Sequence, residues 1–286
     1  MRIVLTGGTG YIGSAVVREL VAGGHAVTAL VRSDEAAAKA RKHGAEPVVG
    51  DLFDGDWTAA RFAEGDAAAH LAATGGPDTA DFDKTIVGAA VRAFGGTPKQ
   101  FVHTSGIWLW GDNADITEES PLQPPVLTQW RVPVEQTLLD APITSTIIAP
   151  GIVYGHGGGI PAGVLAPARD AQGRVRLIGD GTQHWTSVHV DDVASLYRIV
   201  LELGSPLGRV LAASGVNPTV AELAAAVSGE AGVVAETVDE TRGRLGSLFA
   251  DALLLDQQAS GAKARGLGWN PVGPSLISEL QAAAAA

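Results

Sequence analysis

The sequence predicts an α/β fold in which helices cover both faces of a doubly wound parallel sheet, with a smaller C-terminal lobe. Three observations lead to this prediction. Short, almost continuously apolar segments alternate with helix-like segments through the first half of the chain, as in parallel sheets buried on both faces. A glycine-rich turn directly follows the first apolar segment. After Pro150 the alternation becomes less regular, which indicates a second structural unit.

The strand and helix signals of the first half follow one another in strict order. Crossovers between parallel strands are right-handed, so this alternation places helices on both faces of the sheet. The predicted strands are RIVLT, AVTALV, EPVVG, AAAHLA, QFVHTS and ITSTIIAP. The predicted helices lie near 12–23, 34–43, 57–63, 79–94 and 127–139.

The second half carries weaker signals. GIVYGHGGGIPAG is a glycine-rich loop, and RVRLIGDGTQHWTSVHVDDVA is typical of two short strands and the start of a helix. Further helices are predicted near 191–203, 218–228, 239–254 and 274–284.

Composition excludes several classes of protein. The chain has 286 residues, of which 46% are hydrophobic and 18% charged, as in a globular protein with a sizeable core. It has no cysteine, so we expect no disulfide and no thiolate metal site, and we expect a reducing, cytoplasmic setting. We assign no metal-binding residue. The net charge of −11 disfavours a nucleic-acid partner. No apolar run is long enough to predict a membrane span.

The turn LTGGTGYIG has the spacing of a dinucleotide-binding loop. Gly7 permits a tight turn, Gly10 lets the backbone approach a pyrophosphate, and Gly13 allows close packing of helix on strand. The phosphate then lies at the N-terminus of a helix, where backbone N–H groups and the helix dipole favour an anion. The loop residues expected to contact the cofactor are Gly7, Thr9, Gly10, Tyr11, Ile12 and Gly13.

The end of the second predicted strand indicates which cofactor binds. An NAD-binding unit usually has an acidic residue here for the ribose 2′-hydroxyl. This chain has Arg32 and Ser33, and a guanidinium grips a phosphate through two hydrogen bonds. We therefore expect NADPH, with Asp34 leaving NAD as an alternative and helix capping as a second role for Ser33.

Five motifs together resemble the extended short-chain dehydrogenase/reductase family, which includes the NAD(P)-dependent epimerases and dehydratases. They are TGGTGYIG, GDLFD, HLAAT, PGIVYG and VHVDDVA. The resemblance implies a Rossmann fold and further cofactor contacts by Asp51, Leu52, Leu71, Ala72, Ala73, Pro150 and Ile152. It also implies a dinucleotide-binding lobe, residues 1–155 joined by 186–203, and a substrate-binding lobe formed by residues 156–185 and 204–286.

The chain departs from this family where catalysis takes place. The family uses a tyrosine and a lysine spaced Y-x-x-x-K, and alignment on VEQTLL puts Leu127 and Arg131 at those positions. Any other alignment gives the same result, because none of the three tyrosines has a lysine four residues later. Arg131 is expected to take over the ribose contact or to stabilise an oxyanion, since it does not release a proton near neutral pH.

Replacement groups for the tyrosine are few. Ser105 ends the fifth predicted strand, one residue before the family's usual serine position, and we expect it near the substrate carbonyl. A strand-end serine bonded to backbone is an equal alternative. Tyr154 is a second candidate, although the resembling folds use this position for packing. His103, in mid-strand, is expected to be a buried, hydrogen-bonded histidine.

Three tryptophans, Trp108, Trp130 and Trp110, fall where the resemblance places the pocket mouth, and indoles there would stack on a flat substrate. Ordinary packing is an equal alternative. A fused aromatic ketone that carries its own neighbouring hydroxyl, as in polyketides of antibiotic biosynthesis, would need no acid from the protein. Hydride delivery and proximity could then suffice.

The favoured hypothesis is therefore an atypical NADPH-dependent ketoreductase acting on a small-molecule ketone. A non-catalytic NADP(H)-binding redox sensor is the first alternative, and a nucleotide-sugar epimerase or dehydratase the second. The resemblance implies a homodimer through the helices near 79–94 and 127–139.

Overall fold

Strands and helices alternate along most of the chain in a computed structural model that describes residues 1–285. The strands are β1 (Arg2–Thr6), β2 (Ala26–Val31), β3 (Glu46–Val49), β4 (Ala67–His70), β5 (Gln100–Thr104), β6 (Asn113–Ile116), β7 (Thr144–Pro150), β8 (Ile152–Gly155), β9 (Gly158–Gly159), β10 (Val175–Arg176), β11 (Ser187–His189), β12 (Gly208–Ala212), β13 (Val233–Val234) and β14 (Gln257–Ala259). The helices are α1 (Tyr11–Ala22), α2 (Asp34–Lys42), α3 (Gly55–Ala63), α4 (Thr79–Phe94), α5 (Arg131–Asp140), α6 (Ile160–Val164), α7 (Val190–Leu203), α8 (Val220–Ser228), α9 (Val238–Leu245), α10 (Ser247–Leu253), α11 (Ala262–Gly266) and α12 (Leu276–Ala285). Short 3-10 helices cover Ile107–Trp110 and Gly229–Ala231.

A seven-stranded sheet with the strand order β12-β7-β5-β4-β1-β2-β3 forms the centre of the fold. All of its strand pairs are parallel. The predicted doubly wound α/β fold is thus confirmed. The strand order reverses between β1 and β4, and ligands of such sheets bind at the carboxyl ends of the strands beside this reversal.

All six strands predicted from the sequence belong to this sheet, and the structure adds a seventh. Strand β12 pairs with β7, with Gly208 opposite Thr146. It comes from residues 204–286, which the sequence pattern assigned to the substrate-binding lobe. Its apolar segment is short and followed by alanines, so it gave no strand signal strong enough to predict it.

Two apolar layers hold helices against the two faces of the sheet. On one face α1 packs against α7, and buried side chains of α2 and α11 extend this layer. On the other face α3, α4 and α5 pack in sequence, around Phe62, Phe82 and Phe101. Both faces of the parallel strands are therefore buried, which is why the strands are apolar at nearly every position.

Two predicted helices were wrong in part, for local reasons. The helix predicted for 127–139 begins only at Arg131, because residues 127–130 form a turn whose N–H groups donate to the carbonyl of Pro125. The helix predicted for 239–254 is split by Gly246, which has φ of +81° and cannot continue a right-handed helix.

A third apolar cluster lies in the C-terminal part of the chain. It packs α8, α10 and α12 around Leu177, Trp185 and Tyr154. Two small sheets, β6 with β14 and β10 with β13, accompany it. No helix in residues 1–285 is both long enough and apolar enough to cross a membrane.

Candidate cofactor groove and adjoining pocket

A groove of about 310 Å³ lies at the carboxyl ends of β1, β2 and β4, beside the reversal of strand order. The sequence predicted most of its lining: it comprises Gly7, Thr9, Gly10, Leu30, Val31, Arg32, Ser33, Ala36, Leu52, Leu71, Ala72, Ala73, Thr74 and Phe82. Its position is where doubly wound sheets bind dinucleotides.

The glycine turn is built by close backbone contacts. A Cβ atom on Gly13 would lie 2.0 Å from the carbonyl oxygen of Gly7, and one on Gly7 would lie 2.5 Å from the backbone nitrogen of Ala72. A Cβ atom on Gly10 would touch only the carbonyl oxygen of Gly7, at 3.3 Å. Gly10 caps α1 without any side-chain hydrogen bond, so the helix N-terminus is left for an anion. These features fit the pyrophosphate of a dinucleotide.

The rim of the groove carries the side chains expected to select the cofactor. Arg32 is exposed and forms no ion pair with any residue in 1–285. The hydroxyl of Ser33 accepts a hydrogen bond from the N–H of Ala36, so it caps α2. Asp51 accepts a hydrogen bond from the N–H of Phe53 and does not line the groove, whereas its neighbour Leu52 does.

A second pocket, of about 280 Å³, begins where the first turn of α1 separates it from the groove. Its polar groups are few: Ser105, Thr128 and Arg131 bring the side-chain polarity, and most other lining atoms are apolar. The lining comprises Tyr11, Ile12, Ser105, Gly106, Ile107, Trp108, Thr128, Arg131, Pro150, Gly151, Ile152, Val153, Gly159 and Ile160. Pro150 and Ile152, predicted as cofactor contacts, thus lie in this pocket.

Two hydroxyl groups in the pocket wall lack a well-formed hydrogen bond. The Oγ of Ser105 and the Oγ1 of Thr128 are buried, and neither forms a hydrogen bond of good geometry within residues 1–285, although the Ser105 hydroxyl is close enough to Glu135 to lower the pKa of that carboxyl. A buried hydroxyl without a partner costs free energy, so such groups indicate a ligand or a water. The sequence did not suggest Thr128. It is adjacent to Leu127 at the expected tyrosine position, and a search for any hydroxyl near that position would have found it.

Arg131 connects the pocket to the interior of the sheet. Its Nη1 donates a hydrogen bond to the carbonyl of Thr104 at 3.1 Å and lies 3.7 Å from Oδ2 of Asp83. Its guanidinium also stacks on the ring of Trp130, with 4.5 Å between Cζ and the ring centroid. Contacts with Thr104, Asp83 and Trp130 therefore fix the position of the guanidinium, which also lines the pocket.

Behind Arg131 lies a buried network of His70, Asp83 and His103. The Nε2 of His70 is 3.1 Å from Asp83 Oδ1, and the Nε2 of His103 is 3.4 Å from Asp83 Oδ2. Burial lowers the pKa of His103 to about 3. Burial opposes ionisation of Asp83, but the hydrogen bond to His70 and the nearby charges hold its pKa below the usual range. His103 was expected to be hydrogen-bonded, yet neither ring nitrogen has a partner within residues 1–285.

Glu135, four residues after Arg131, is buried beside Ser105. Its Oε2 accepts a hydrogen bond from Nε of Arg209 at 3.1 Å. Burial raises the pKa of this carboxyl, and the nearby hydroxyl of Ser105 and guanidinium of Arg209 offset only part of the effect. The serine is therefore placed between a carboxyl group and the pocket.

The three tyrosine hydroxyls are all engaged. Tyr11 donates to the carbonyl of Gly155 at 2.8 Å, Tyr154 donates to the carbonyl of Pro274 at 2.7 Å, and Tyr197 lies 2.5 Å from Oγ1 of Thr104. Burial raises the pKa of Tyr154 to about 12 and raises those of Tyr11 and Tyr197 further. The structure gives no support to the prediction of Tyr154 as a catalytic group, since Tyr154 does not line the pocket and its hydroxyl is bonded to Pro274.

Of the three tryptophans predicted to bind substrate, only Trp108 lines the pocket, and its ring packs edge-on against Phe249 at 6.1 Å. Trp110 is 1% exposed and belongs to the core beneath the pocket. Trp130 donates from Nε1 to the carbonyl of Leu127 and supports Arg131 from behind. The 3-10 turn over Ile107–Trp110 sends alternate indoles in opposite directions, which the linear sequence did not show.

Residues 3–128 match the sequence profile of the NAD dependent epimerase/dehydratase family. This part, less than half of the chain, is similar to that family. The resemblance to extended short-chain dehydrogenases/reductases is thereby confirmed, and the family is an NAD(P)-binding one whose members are generally oxidoreductases.

Relatives and solved structures extend the likeness beyond residues 3–128. An uncharacterized protein of Saccharomyces cerevisiae is 29% identical over 99% of this chain and 98% of its own. A 2-alkyl-3-oxoalkanoate reductase of Stenotrophomonas maltophilia is 28% identical over 72% and 67%. A ketoreductase of Stigmatella aurantiaca, named for a 4-hydroxy-2-methyl-3-oxo-4-farnesyl-dihydroquinoline oxide, is 52% identical over 18% and 16%. The human epimerase family protein SDR39U1, solved with NADPH, superposes with a TM-score of 0.79 at 22% identity over 100% and 99%, which shows a shared fold.

Proposed function

We propose that this chain reduces a ketone to an alcohol with NADPH, by direct hydride transfer and without a tyrosine acid. The observation that carries the proposal is the second pocket. It is apolar, it borders the cofactor groove at the first turn of α1, and the side-chain donors in its wall that form no hydrogen bond within residues 1–285 are the Ser105 and Thr128 hydroxyls and the indole N–H of Trp108, beside the Arg131 guanidinium. That combination suits a neutral, largely apolar substrate with one polar oxygen.

NADPH is preferred to NADH because of Arg32. When bound, the nicotinamide cofactor supplies the hydride. The residues that would hold it are the glycine turn Gly7–Gly13, the wall Leu71–Ala73 and, at the 2′-phosphate, Arg32. An exposed arginine without an ion pair can bind a phosphate at no cost to another contact. The solved human relative with NADPH supports the same choice.

The carbonyl oxygen would be held by the two unpartnered hydroxyls. Ser105 and Thr128 can each donate one hydrogen bond, and Arg131 adds a fixed positive charge as negative charge develops on that oxygen. Arginine does not release its proton, so it stabilises the alkoxide rather than neutralising it. The proton that completes the alcohol would come from a neighbouring hydroxyl of the substrate, as expected for a self-activated ketone.

Two relatives support carbonyl reduction as the reaction, since their names describe reductases of oxo groups. The Trp108 indole in the pocket wall favours a flat, aromatic ketone, because an indole can stack on such a ring. An epimerase or dehydratase is disfavoured, because those reactions need an acid–base group and every tyrosine hydroxyl is already bonded.

A redox sensor that binds NADP(H) without turnover remains a second candidate. The raised pKa values and bonded hydroxyls of all three tyrosines favour it, because they leave the site without the family's usual acid.

The deciding experiment follows NADPH consumption by absorbance with a paired panel of ketones. Each pair compares a fused aromatic ketone that has a neighbouring hydroxyl with the same skeleton lacking it. We expect turnover only with the hydroxyl-bearing members. Tight NADPH binding in the same preparation, without turnover of any ketone, would support the sensor. Equal turnover of both members of each pair would show that the protein supplies the proton.

A further inference from the structure

A second group of titratable residues lies outside the groove and the pocket, at the junction of three segments. His156 follows β8, His189 and Asp191 span the start of α7, and Glu279 lies on α12. The Nε2 of His156 is 2.7 Å from Oδ2 of Asp191, and the Nδ1 of His189 is 3.8 Å from the same oxygen. His156, His189 and Asp191 each offer one ligand atom that lies within 4.8 Å of the other two.

We infer that His156, His189 and Asp191 bind a divalent transition metal, of which Zn²⁺ fits best. Imidazole and carboxylate are ligands that Zn²⁺ prefers, at about 2.0–2.2 Å, so neighbouring ligand atoms in a tetrahedral site lie about 3.3 Å apart. The spacings between these ligand atoms lie on either side of that value. Three protein ligands leave a fourth position open to water.

The hydrogen bonds of His189 set the required tautomer. Its Nδ1 accepts a hydrogen bond from the N–H of Asp191 at 3.3 Å, so Nδ1 is the ring nitrogen without a proton and the proton is on Nε2. That Nε2 is buried, has no hydrogen-bond partner in residues 1–285, and lies 3.8 Å from Oε1 of Glu279. A metal-ligating histidine commonly donates its other N–H to a carboxylate. A bound metal would replace the long bond from the N–H of Asp191, which lies in a half-exposed residue that water can reach.

The local charge also favours a cation. Asp191, Asp192 and Glu279 meet here, and no lysine or arginine in residues 1–285 forms an ion pair with any of them. The negative charges of Glu279 and Asp191 also raise the pKa of Tyr11, in addition to the larger effect of burial. The buried cluster of His70, Asp83 and His103 differs, because Arg131 already balances its carboxylate.

His156 adopts an unfavourable backbone conformation in this cluster. It has φ of +53° and is the one non-glycine residue in 1–285 with positive φ. Such a conformation is uncommon outside glycine and is retained where the surroundings require it. Here it turns the imidazole, which is otherwise exposed, onto Asp191.

Metal binding would restrain the loop of residues 155–159, which contacts the first turn of α1 and reaches the pocket. Gly155 accepts the hydrogen bond from Tyr11, and Gly159 lines the pocket. A metal on His156 joins this loop to the start of α7, so we expect a higher melting temperature for the metal-loaded chain.

The test uses the full chain made without a histidine tag, freed of metal with a chelator and titrated with Zn²⁺ by calorimetry. We expect one site per chain, weakened about tenfold or more in His156→Asn and in Asp191→Asn. Asparagine tolerates positive φ, so the loop should keep its conformation. Co²⁺ should give the visible absorption bands of a tetrahedral site in the parent chain, and these bands should be lost in His156→Asn and Asp191→Asn.

The matched control is His184→Asn. His184 forms a similar pair with Asp256, at 2.8 Å, but has no third ligand within reach. This variant should bind Zn²⁺ as tightly as the parent. Undiminished binding in His156→Asn would overturn the inference, as would the absence of a one-to-one site in the parent. Binding that His70→Gln alone abolishes would also overturn it, by locating the metal in the buried cluster.

Discussion

The Arg131 guanidinium lies 3.7 Å from the Asp83 carboxylate, and this pair joins the second pocket to the interior of the fold. The arginine occupies the position at which the family's lysine is expected, yet its nearest acidic partner is a buried residue of α4. The Arg131 guanidinium therefore has two roles. It faces the pocket, and it balances the charge of the buried Asp83 carboxylate.

Replacing Arg131 should therefore destabilise the whole chain as well as the pocket. Arg131→Leu leaves the Asp83 carboxylate with less compensation in the core, and we expect a loss of about 1–3 kcal/mol in the free energy of unfolding. Urea unfolding followed by circular dichroism measures it. The control is Arg92→Leu, which removes an exposed pair with Asp56 and should cost less than about 0.5 kcal/mol. Equal losses in the two variants would show that Arg131 does not support Asp83.

The free energy of unfolding should fall as the solution is acidified. The reason is that His103 stays neutral in the folded chain at pH values at which it is protonated in the unfolded chain. Its pKa in the folded chain is about 3, whereas an unfolded histidine titrates near 6.5. Between these values the unfolded state binds the extra proton, so the stabilisation is complete above about pH 6.5 and declines as the pH falls towards 3. Depression of the Asp83 pKa adds a loss in the same direction below about pH 4.

Urea unfolding at a series of pH values from 7.5 to 4.5 measures this slope. We expect the free energy of unfolding to fall by up to about 1 kcal/mol per pH unit below pH 6.5 in the parent chain. His103→Gln should flatten the curve, and His184→Gln, a partly exposed histidine, should leave it unchanged. A parent curve as flat as that of His103→Gln would contradict the assignment.

Elements built from local signals could be predicted from the sequence, and those that depend on distant contacts could not. The glycine turn and the six apolar strands follow from spacing and hydropathy, and so does the groove they form. Strand β12 is a strand because β7 offers it an open edge, a fact absent from its own residues. Gly246 divides a predicted helix because its backbone adopts positive φ, which the helical pattern on either side concealed.

The pocket was predicted in position but only partly in composition. Ser105, Trp108 and Arg131 line it as expected, because the ends of β5 and α5 must meet beside the groove. Trp110 and Trp130 do not, because the direction of a side chain in an irregular turn depends on packing that the sequence does not state. The sequence did not indicate Thr128, because the family pattern predicts a tyrosine and its neighbour Leu127 aligns with the tyrosine position.

The two pocket hydroxyls should share the work of holding the carbonyl oxygen. Ser105→Ala and Thr128→Val each remove one donor with little change of volume, and we expect each to lower kcat/KM about tenfold, the worth of one hydrogen bond. The double variant should lose about a hundredfold. Steady-state kinetics with the best ketone of the paired panel measure the losses.

Thr117→Val is the matched control, since its hydroxyl meets Ser120 in an exposed turn away from the pocket. NADPH binding by fluorescence should be unchanged in all four variants, which separates a catalytic loss from a folding defect. If the double variant kept the activity of the parent, neither hydroxyl would contribute to the reaction. The carbonyl oxygen would then be stabilised only by Arg131 and by the substrate itself.

Arg32 should decide the choice between the two nicotinamide cofactors. Arg32→Ala removes the only side chain of the groove that has a fixed positive charge, and we expect about 10–100-fold weaker NADPH binding, the worth of a charged hydrogen bond to phosphate. NADH lacks the 2′-phosphate, so its affinity should change less than about twofold. Arg41→Ala, in the last turn of α2 and outside the groove, is the control for a general loss of positive charge.

If Arg32→Ala weakened the binding of both cofactors equally, the arginine would contact a group they share, and NADPH preference would need another source. If neither affinity changed, Asp34 and the ribose hydroxyls would define the site, and the cofactor would be NAD.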